Sequence, residues 1–370
     1  MSVFEELGLR RFLNAEDTFT SNGASCLGPE AYQAMREISG AWVDLLQMQR
    51  NTGEALARLT RNEAAYVSSG AASALTLCAA AALCEGDRDA FLALPDASLC
   101  RRREALVLAP QKNAYMRSIA ASGATLRWAG EEGRSLTLEQ AEAAMSQQTA
   151  ALFYFVYHGA ALCPSLEALA RAAHRRGIPV FVDAAAQLPP AENLWAFTGQ
   201  GADLALFSGG KGLAGPQDSG LAVGKRLWVE RLLALGAPNE GLARGSKVTR
   251  EAMAGLYAAV KRFVSEPESQ RQAALMEKCA LGRDCMERCG FAQVRIVAQG
   301  PVGQASPRVL GRPVGMDARA LRQALRGDGL LVGYDAQEDA LCFHPQMLTL
   351  KQTQTACRLL ENRVRLWKEA

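Results

Sequence analysis

Residues 178–220 constrain this chain more than any other stretch. Two short apolar runs, 178–182 and 204–207, each stop abruptly at a polar or glycine-rich turn. Runs of that length, rich in β-branched and aromatic residues, mark strands buried on both faces of a parallel sheet. The first ends on Asp183 and the second on Ser208-Gly209-Gly210-Lys211, which puts Lys211 28 positions beyond Asp183. Ligands of open α/β sheets sit beyond the carboxyl ends of the strands. One carboxylate and one amine are therefore expected at a single rim, with glycines beside the lysine to turn the backbone sharply and leave room for a flat ring.

That pair is what a pyridoxal phosphate enzyme needs: a lysine for the Schiff base and an acid to keep the pyridine nitrogen protonated. A solvated glycine-loop lysine and a helix- or turn-capping aspartate are the plainer alternatives. A phosphate-binding GxxxxGK[ST] loop is not among them, because Ala205 stands where the first glycine belongs and Gly212 follows the lysine.

The same texture extends in both directions. Strand patterns at 64–67, 105–108, 125–128 and 151–156 alternate with helical patterns at 71–83, 113–122, 137–145 and 165–176. Such alternation indicates a parallel sheet with right-handed crossovers. Ala71 to Leu83 is small and apolar on all sides, the mark of a buried helix. Its amino end, preceded by Ser69 and Gly70, reads either as an anion site or as an ordinary strand–helix corner. His158 falls at a strand end. His174 and His344 read as structural. Ahead of the sheet, residues 1–25 read as an arm with little regular structure, followed by helices at 29–38 and 42–59. Beyond Gly220 come a strand at 221–223, a helix at 225–235, and a glycine-rich loop, 236–247, carrying Arg244 and Lys247. Then follow long helices to about Cys289 and a mixture of short strands and helices. The expected division is an arm and helix at 1–45, a large α/β domain at 46–247 and a small α+β domain at 248–370.

Composition narrows the partners. With 41 Lys and Arg against 38 Asp and Glu the formal charge is +3, and no dense basic block exists, so a nucleic-acid surface is not expected. The longest basic run, Arg101-Arg102-Arg103, reads as a solvated turn. No apolar run is long enough to span a bilayer, and the first residues lack a signal-peptide core. Ten cysteines without paired spacing read as reduced thiols of a cytoplasmic protein, and Cys279, Cys285 and Cys289, with neither CxxC nor a nearby His, are not expected to bind a metal.

The chain resembles the fold-type I pyridoxal phosphate enzymes, in particular the bacterial selenocysteine-synthase-like branch with its ammonia-lyases of phosphorylated amino sugar acids. The likeness covers nearly the whole chain. It rests on Asn14-Ala15, Glu63-Ala64-Ala65-Tyr66-Val67, Ser69-Gly70-Ala71-Ala72, Asn113-Ala114-Tyr115, Val182-Asp183-Ala184-Ala185, Leu188-Pro189-Pro190 and Gly201-Ala202-Asp203. Most specific are Phe207-Ser208-Gly209-Gly210-Lys211 and Gly215-Pro216-Gln217 with Ser219-Gly220. The resemblance implies that Lys211 is the Schiff-base lysine and Asp183 the pyridinium partner. Ser69, Gly70 and Ala71, helped by Ser208, would hold the cofactor phosphate, with Gln111 and His158 also at the cofactor. Arg244 and Lys247 would meet substrate anions. It also implies a homodimer or larger assembly and a lyase removing water, then ammonia, from a 2-amino-2-deoxy sugar acid. Selenium transfer onto seryl-tRNA is the rival activity. Departures from the family pattern lie on the substrate side: Asp17 where glycine is usual, Thr249 and Arg250 in place of Gly and Lys, and no prolines around Gly327-Asp328-Gly329.

Overall fold

The computed structural model describes residues 2–369, apart from the side chain of His158. Its strands are Leu13–Ala15 (β1), Ala64–Ser68 (β2), Glu104–Leu108 (β3), Thr125–Ala129 (β4), Thr149–Phe155 (β5), Val180–Asp183 (β6) and Leu204–Ser208 (β7). They continue with Gly220–Gly224 (β8), Ala292–Val297 (β9), Arg308–Arg312 (β10), Leu330–Asp335 (β11) and Ala340–Phe343 (β12). The chain divides into two compact units, residues 25–265 and residues 1–24 with 266–370.

The larger unit is built on a seven-stranded sheet in the order β2-β8-β7-β6-β5-β3-β4. β8 runs antiparallel to both of its neighbours, and the other pairings are parallel. Side chains alternate faces as the pleat requires. Ala205 and Phe207 join one core cluster, Leu204 and Leu206 the other. One face is covered by helix Ala71–Cys84, which is apolar all round and nearly all buried, together with Arg226–Leu235. Helices Leu45–Leu59, Leu166–His174 and Arg250–Ser265 cover the other. Burying a leucine or phenylalanine such as Leu106, Phe153 or Phe181 stabilises by roughly 1.5–3 kcal/mol each, so this double-faced core dominates the fold's energy.

The edge strand β2 does not stand open. Asp44 caps helix Leu45–Leu59 by accepting from the N–H groups of Leu46 and Gln47, at 2.9 and 3.0 Å. The helix then lies so close to β2 that a Cβ on Gly53 would come within 2.3 Å of the Ala65 carbonyl oxygen. Glycine at 53 is what allows the helix to cover the edge.

The packing draws its boundaries at 24/25 and 265/266, against the 45/46 and 247/248 expected from sequence. Helix Arg250–Ser265 packs on helices Pro29–Ser39 and Leu45–Leu59, which ties all three to the large unit. The arm also differs from expectation. It holds β1, which pairs in parallel with β11, Leu13 opposite Leu330 and Ala15 opposite Val332. Three residues are too short a run for a strand period to show in sequence.

In the smaller unit the sheet order is β1-β11-β12-β10-β9. Helices Glu268–Arg288, Ala318–Gly327 and Leu350–Glu369 supply residues such as Cys279, Leu321 and Leu360 to its core. His344 sits fully buried just after β12. Its N–H donates to the Ala15 carbonyl at 2.8 Å, its Nε2 meets Ser306 Oγ at 2.8 Å, and its Nδ1 faces Asp17 Oδ1 at 3.7 Å.

Burial pushes His344 down from 6.5 to about 4, against the pull of Asp17. Between those two values the unfolded chain binds a proton that the folded chain refuses, so stability rises with pH there. The contribution is fully present above about 6.5 and is lost as pH falls toward 4. The unfolding midpoint should therefore drop over that window, and a His344→Asn variant, compared with the parent by thermal melts at each pH, should show a shallower slope.

Candidate active site

The rim formed by the carboxyl ends of β2, β3, β5, β6 and β7 collects most of the residues singled out from sequence. Asp183 closes β6 and pairs in register with Phe155 on one side and Leu206 on the other. Ser208 closes β7, and Lys211 follows on the glycine turn, half-buried. β8 begins in the middle of this arrangement. Gly220 lies opposite both Ser68 of β2 and Ser208 of β7.

Asp183 is buried, and desolvation raises its pKa; the Ala185 N–H, at 3.0 Å, and the charge of Lys211 oppose that rise. A carboxylate held so, with little hydrogen bonding of its own, is suited to a cationic partner that arrives with a ligand. The physical cause lies in β6: its last residue faces a position walled by β5 and β7, away from bulk water.

Three strands away from Asp183, beyond β2, Ser69 and Gly70 lead into helix Ala71–Cys84. Gly70 has φ +124°, which favours glycine, and no side chain caps the helix, so its first N–H groups are open to an anion. Ser69 Oγ lies 2.8 Å from Ser73 Oγ, one turn along. A Cβ on Gly220 would come within 2.5 Å of the Gly70 carbonyl carbon and 2.9 Å of the Ala71 nitrogen. The glycine thus lets this turn settle directly against the start of β8.

Gln111 ends the short turn Ala109–Gln111 after β3 and is fully buried. Its Oε1 accepts from the Phe155 N–H at 2.8 Å, whereas its Nε2 has no hydrogen-bond partner. A buried amide nitrogen left so costs about 1–3 kcal/mol unless something else accepts from it. That orphaned donor, the uncapped helix end, the desolvated carboxylate and the amine form a donor set that fits pyridoxal phosphate. The turn His158–Leu162 packs on Ala109–Gln111 closely enough that a Cβ on Gly159 would meet the Pro110 oxygen at 1.6 Å. His158 opens that turn, but its side chain lies outside the described residues.

Arg244 and Lys247 are both exposed, Arg244 on the turn Leu242–Gly245 and Lys247 just after it. Among the described residues neither side chain takes part in a hydrogen bond or ion pair. The turn lies against helix Ala71–Cys84, and Gly241, at φ +124°, packs on Phe91. One buried residue of this rim escaped the sequence reading. Gln187 is 4% exposed, and its Nε2 donates to the Val156 carbonyl at 2.7 Å, joining the segment after Asp183 to the end of β5. Only its nearness to Asp183 in sequence could have pointed to it.

The family model described as aminotransferase class-V matches residues 93–244. The chain is 28% identical over 340 residues to a D-glucosaminate-6-phosphate ammonia lyase of Salmonella typhimurium, covering 90% of this chain and 88% of that protein. It is 26% identical over 399 residues to an L-seryl-tRNA(Sec) selenium transferase of Desulfovibrio desulfuricans, covering 94% of this chain and 79% of that one. Among solved structures, a D-glucosaminate-6-phosphate ammonia-lyase superposes with a TM-score of 0.83 at 25% identity, covering 99% of both chains.

Two substitutions probe the rim. Protein purified with pyridoxal phosphate should absorb in the visible, and borohydride should fix the cofactor to Lys211, as read by peptide mass spectrometry; Lys211→Ala should lose both. Asp183→Asn should keep the covalent link yet lose roughly a hundredfold or more in turnover, the scale of a missing charge partner. Normal turnover by Lys211→Ala would reduce the glycine turn to a turn.

Proposed function

The chain being a fold-type I pyridoxal phosphate enzyme, we propose that it is an ammonia-lyase acting on a 2-amino-2-deoxy sugar acid, D-glucosaminate 6-phosphate being the candidate substrate. The reaction takes a proton from Cα and hydroxide from Cβ, and the resulting enamine hydrolyses to a 2-keto-3-deoxy acid and ammonia. The observation that carries the reading is the meeting of Asp183 and the Lys211 turn at the ends of adjacent parallel strands. The 28% identity to the Salmonella ammonia lyase over 90% of the chain supports the substrate class.

Pyridoxal phosphate, when bound, withdraws electrons from the bond between Cα and its hydrogen. In this reading the Asp183 carboxylate holds the proton on the ring nitrogen, and its dry surroundings strengthen that attraction. Lys211 Nζ would be the base that takes the Cα proton and the acid that returns it to the departing Cβ hydroxyl. The N–H groups at Gly70 and Ala71, with the hydroxyls of Ser69 and Ser208, would hold the cofactor phosphate. Gln111 Nε2, without a hydrogen-bond partner in the protein, would donate to the cofactor. Arg244 and Lys247, without partners of their own, bind the substrate phosphate.

We further infer a homodimer or larger assembly in which Arg244 and Lys247 serve a neighbouring copy. Trp42 is 96% exposed and Tyr32 60%, on the connection and helix at 29–44, an exposure of aromatic surface that a second copy would relieve. Ten unpaired thiols fit the reducing cytoplasm as its location. No helix among the described residues is long and apolar enough to cross a membrane. The second reading, β-replacement on seryl-tRNA, shares the elimination step and draws on the 26% identity to the selenium transferase. The near balance of 41 basic and 38 acidic residues weighs against it.

Incubation with D-glucosaminate 6-phosphate should release ammonia and a keto acid in equal amounts. Arg244→Ala should raise KM for the phosphorylated substrate about tenfold, the scale of one lost charge-assisted contact, and leave the unphosphorylated acid unaffected. Activity confined to charged tRNA would transfer the case to the second reading. Mixing inactive Lys211→Ala protein with Arg244→Ala protein should bring part of the activity back to the parent's KM if a site draws on two chains. A fully active monomer at low concentration would exclude sharing.

A further inference from the structure

The turn that carries Lys211 is held from a part of the chain 185 residues away. Ser25 is 8% exposed, and both its donors converge on one acceptor: its N–H and its Oγ each donate to the Gly210 carbonyl at 2.9 Å. That carbonyl belongs to the peptide group whose nitrogen is Lys211's own. On the other side, the Lys211 carbonyl accepts from the Ala214 N–H at 2.9 Å. Both peptide planes flanking the lysine are therefore pinned, and with them the direction in which the Cα–Cβ bond leaves the backbone. Three residues on, the Gly28 N–H donates to the Ala214 carbonyl at 2.9 Å, so the 25–28 segment grips both ends of the turn.

The glycines beside the lysine make such a grip necessary. Gly210 accommodates Gln217, whose Cα would lie 2.6 Å from a Cβ, and Gly212 accommodates the Leu188 carbonyl, 2.2 Å from a Cβ. Close packing demands glycine at both positions, and glycine leaves the backbone more conformational freedom than any other residue. A turn with glycine before and after the lysine needs an external restraint, which the doubly donating Ser25 supplies.

We propose that Ser25 is a positioning residue for Lys211: its hydroxyl fixes the Gly210–Lys211 peptide plane and so aims the lysine amine. The inference rests on the reading of Lys211 as the residue that engages the cofactor. It does not require Ser25 to touch cofactor or substrate.

The test uses holoenzyme carrying Ser25→Ala or Ser25→Thr. Alanine keeps the backbone N–H bond and removes only the hydroxyl, so the fold is retained. Hydrogen exchange should quicken about fivefold at Gly209, Ala214 and Gly215, whose N–H groups are hydrogen-bonded within the turn, with the rest of the sheet unchanged; that is the scale of one lost hydrogen bond. Borohydride fixation of the cofactor at Lys211 should slow by a similar factor. kcat should fall with KM held within about twofold, the signature of a misaimed group rather than of weaker substrate binding. Threonine, which keeps the hydroxyl, should restore all three readouts. Parent-like exchange and fixation in Ser25→Ala would overturn the proposal, as would an activity loss accompanied only by a general loss of melting temperature. If Lys211→Ala protein still had its cofactor fixed at another lysine, the reading of Lys211 would fail instead, with the exchange data judging the turn separately.

Discussion

The start of β8 is the constraint from which the geometry of the rim follows. Because Gly220 pairs with Ser68 on one side and Ser208 on the other, the uncapped helix start after Gly70 and the lysine turn stand two strand spacings apart, roughly 10 Å. Only glycine fits there, since the Gly70–Ala71 backbone occupies the space a Cβ would need. An antiparallel strand between two parallel ones serves this purpose well. It begins at the rim where its neighbours end, so the residue at the crowded point is a strand's first and can be spared a side chain.

The sheet holds two buried aspartates, and they differ in how fully their carboxylates are paired. Asp203, beside the amino end of β7, accepts from the Val180 N–H at 2.7 Å, from Lys225 Nζ at 2.7 Å, and meets His174 Nε2 at 2.8 Å. Its carboxylate is fully employed in joining a helix, two strands and a turn. Asp183, at the opposite end of the neighbouring strand, has one backbone N–H and the nearby charge of Lys211. A buried carboxylate with capacity left over is costly to stability, and such cost is characteristic of positions kept for a ligand.

Much of this was legible in sequence, for a physical reason: strands buried on both faces write continuous apolar runs, and their ends are punctuated by the polar residues that line the rim. The runs before Asp183 and Ser208 were therefore unambiguous, as was the all-apolar helix after Gly70. What did not show were features made by contacts distant in sequence. Nothing local marks Ser25 as the partner of Gly210, and the pairing of β1 with β11 joins residues more than three hundred positions apart. The basic run at 101–103 is a turn as expected, with Arg101 and Arg103 exposed. Within it Arg102 alone reaches far along the chain, donating to the Gly177 carbonyl at 3.1 Å.

The discontinuity of the smaller unit has a consequence for how the protein is made. Residues 25–265 form one unbroken segment, complete before the rest of the small unit leaves the ribosome. β1, by contrast, is synthesised early and must wait for Leu330 and its neighbours. At ordinary translation rates that interval is roughly 15–60 s, long compared with most folding steps. Throughout it the arm is an unpaired strand, the circumstance in which wrong pairings and aggregation arise. The arm is suited to that wait. Its strand is only three residues long, it contains a central asparagine, and it is followed at once by Glu16 and Asp17, which repel another copy of itself. The shortness that hid this strand from a reading of the sequence also keeps it harmless until its partner arrives.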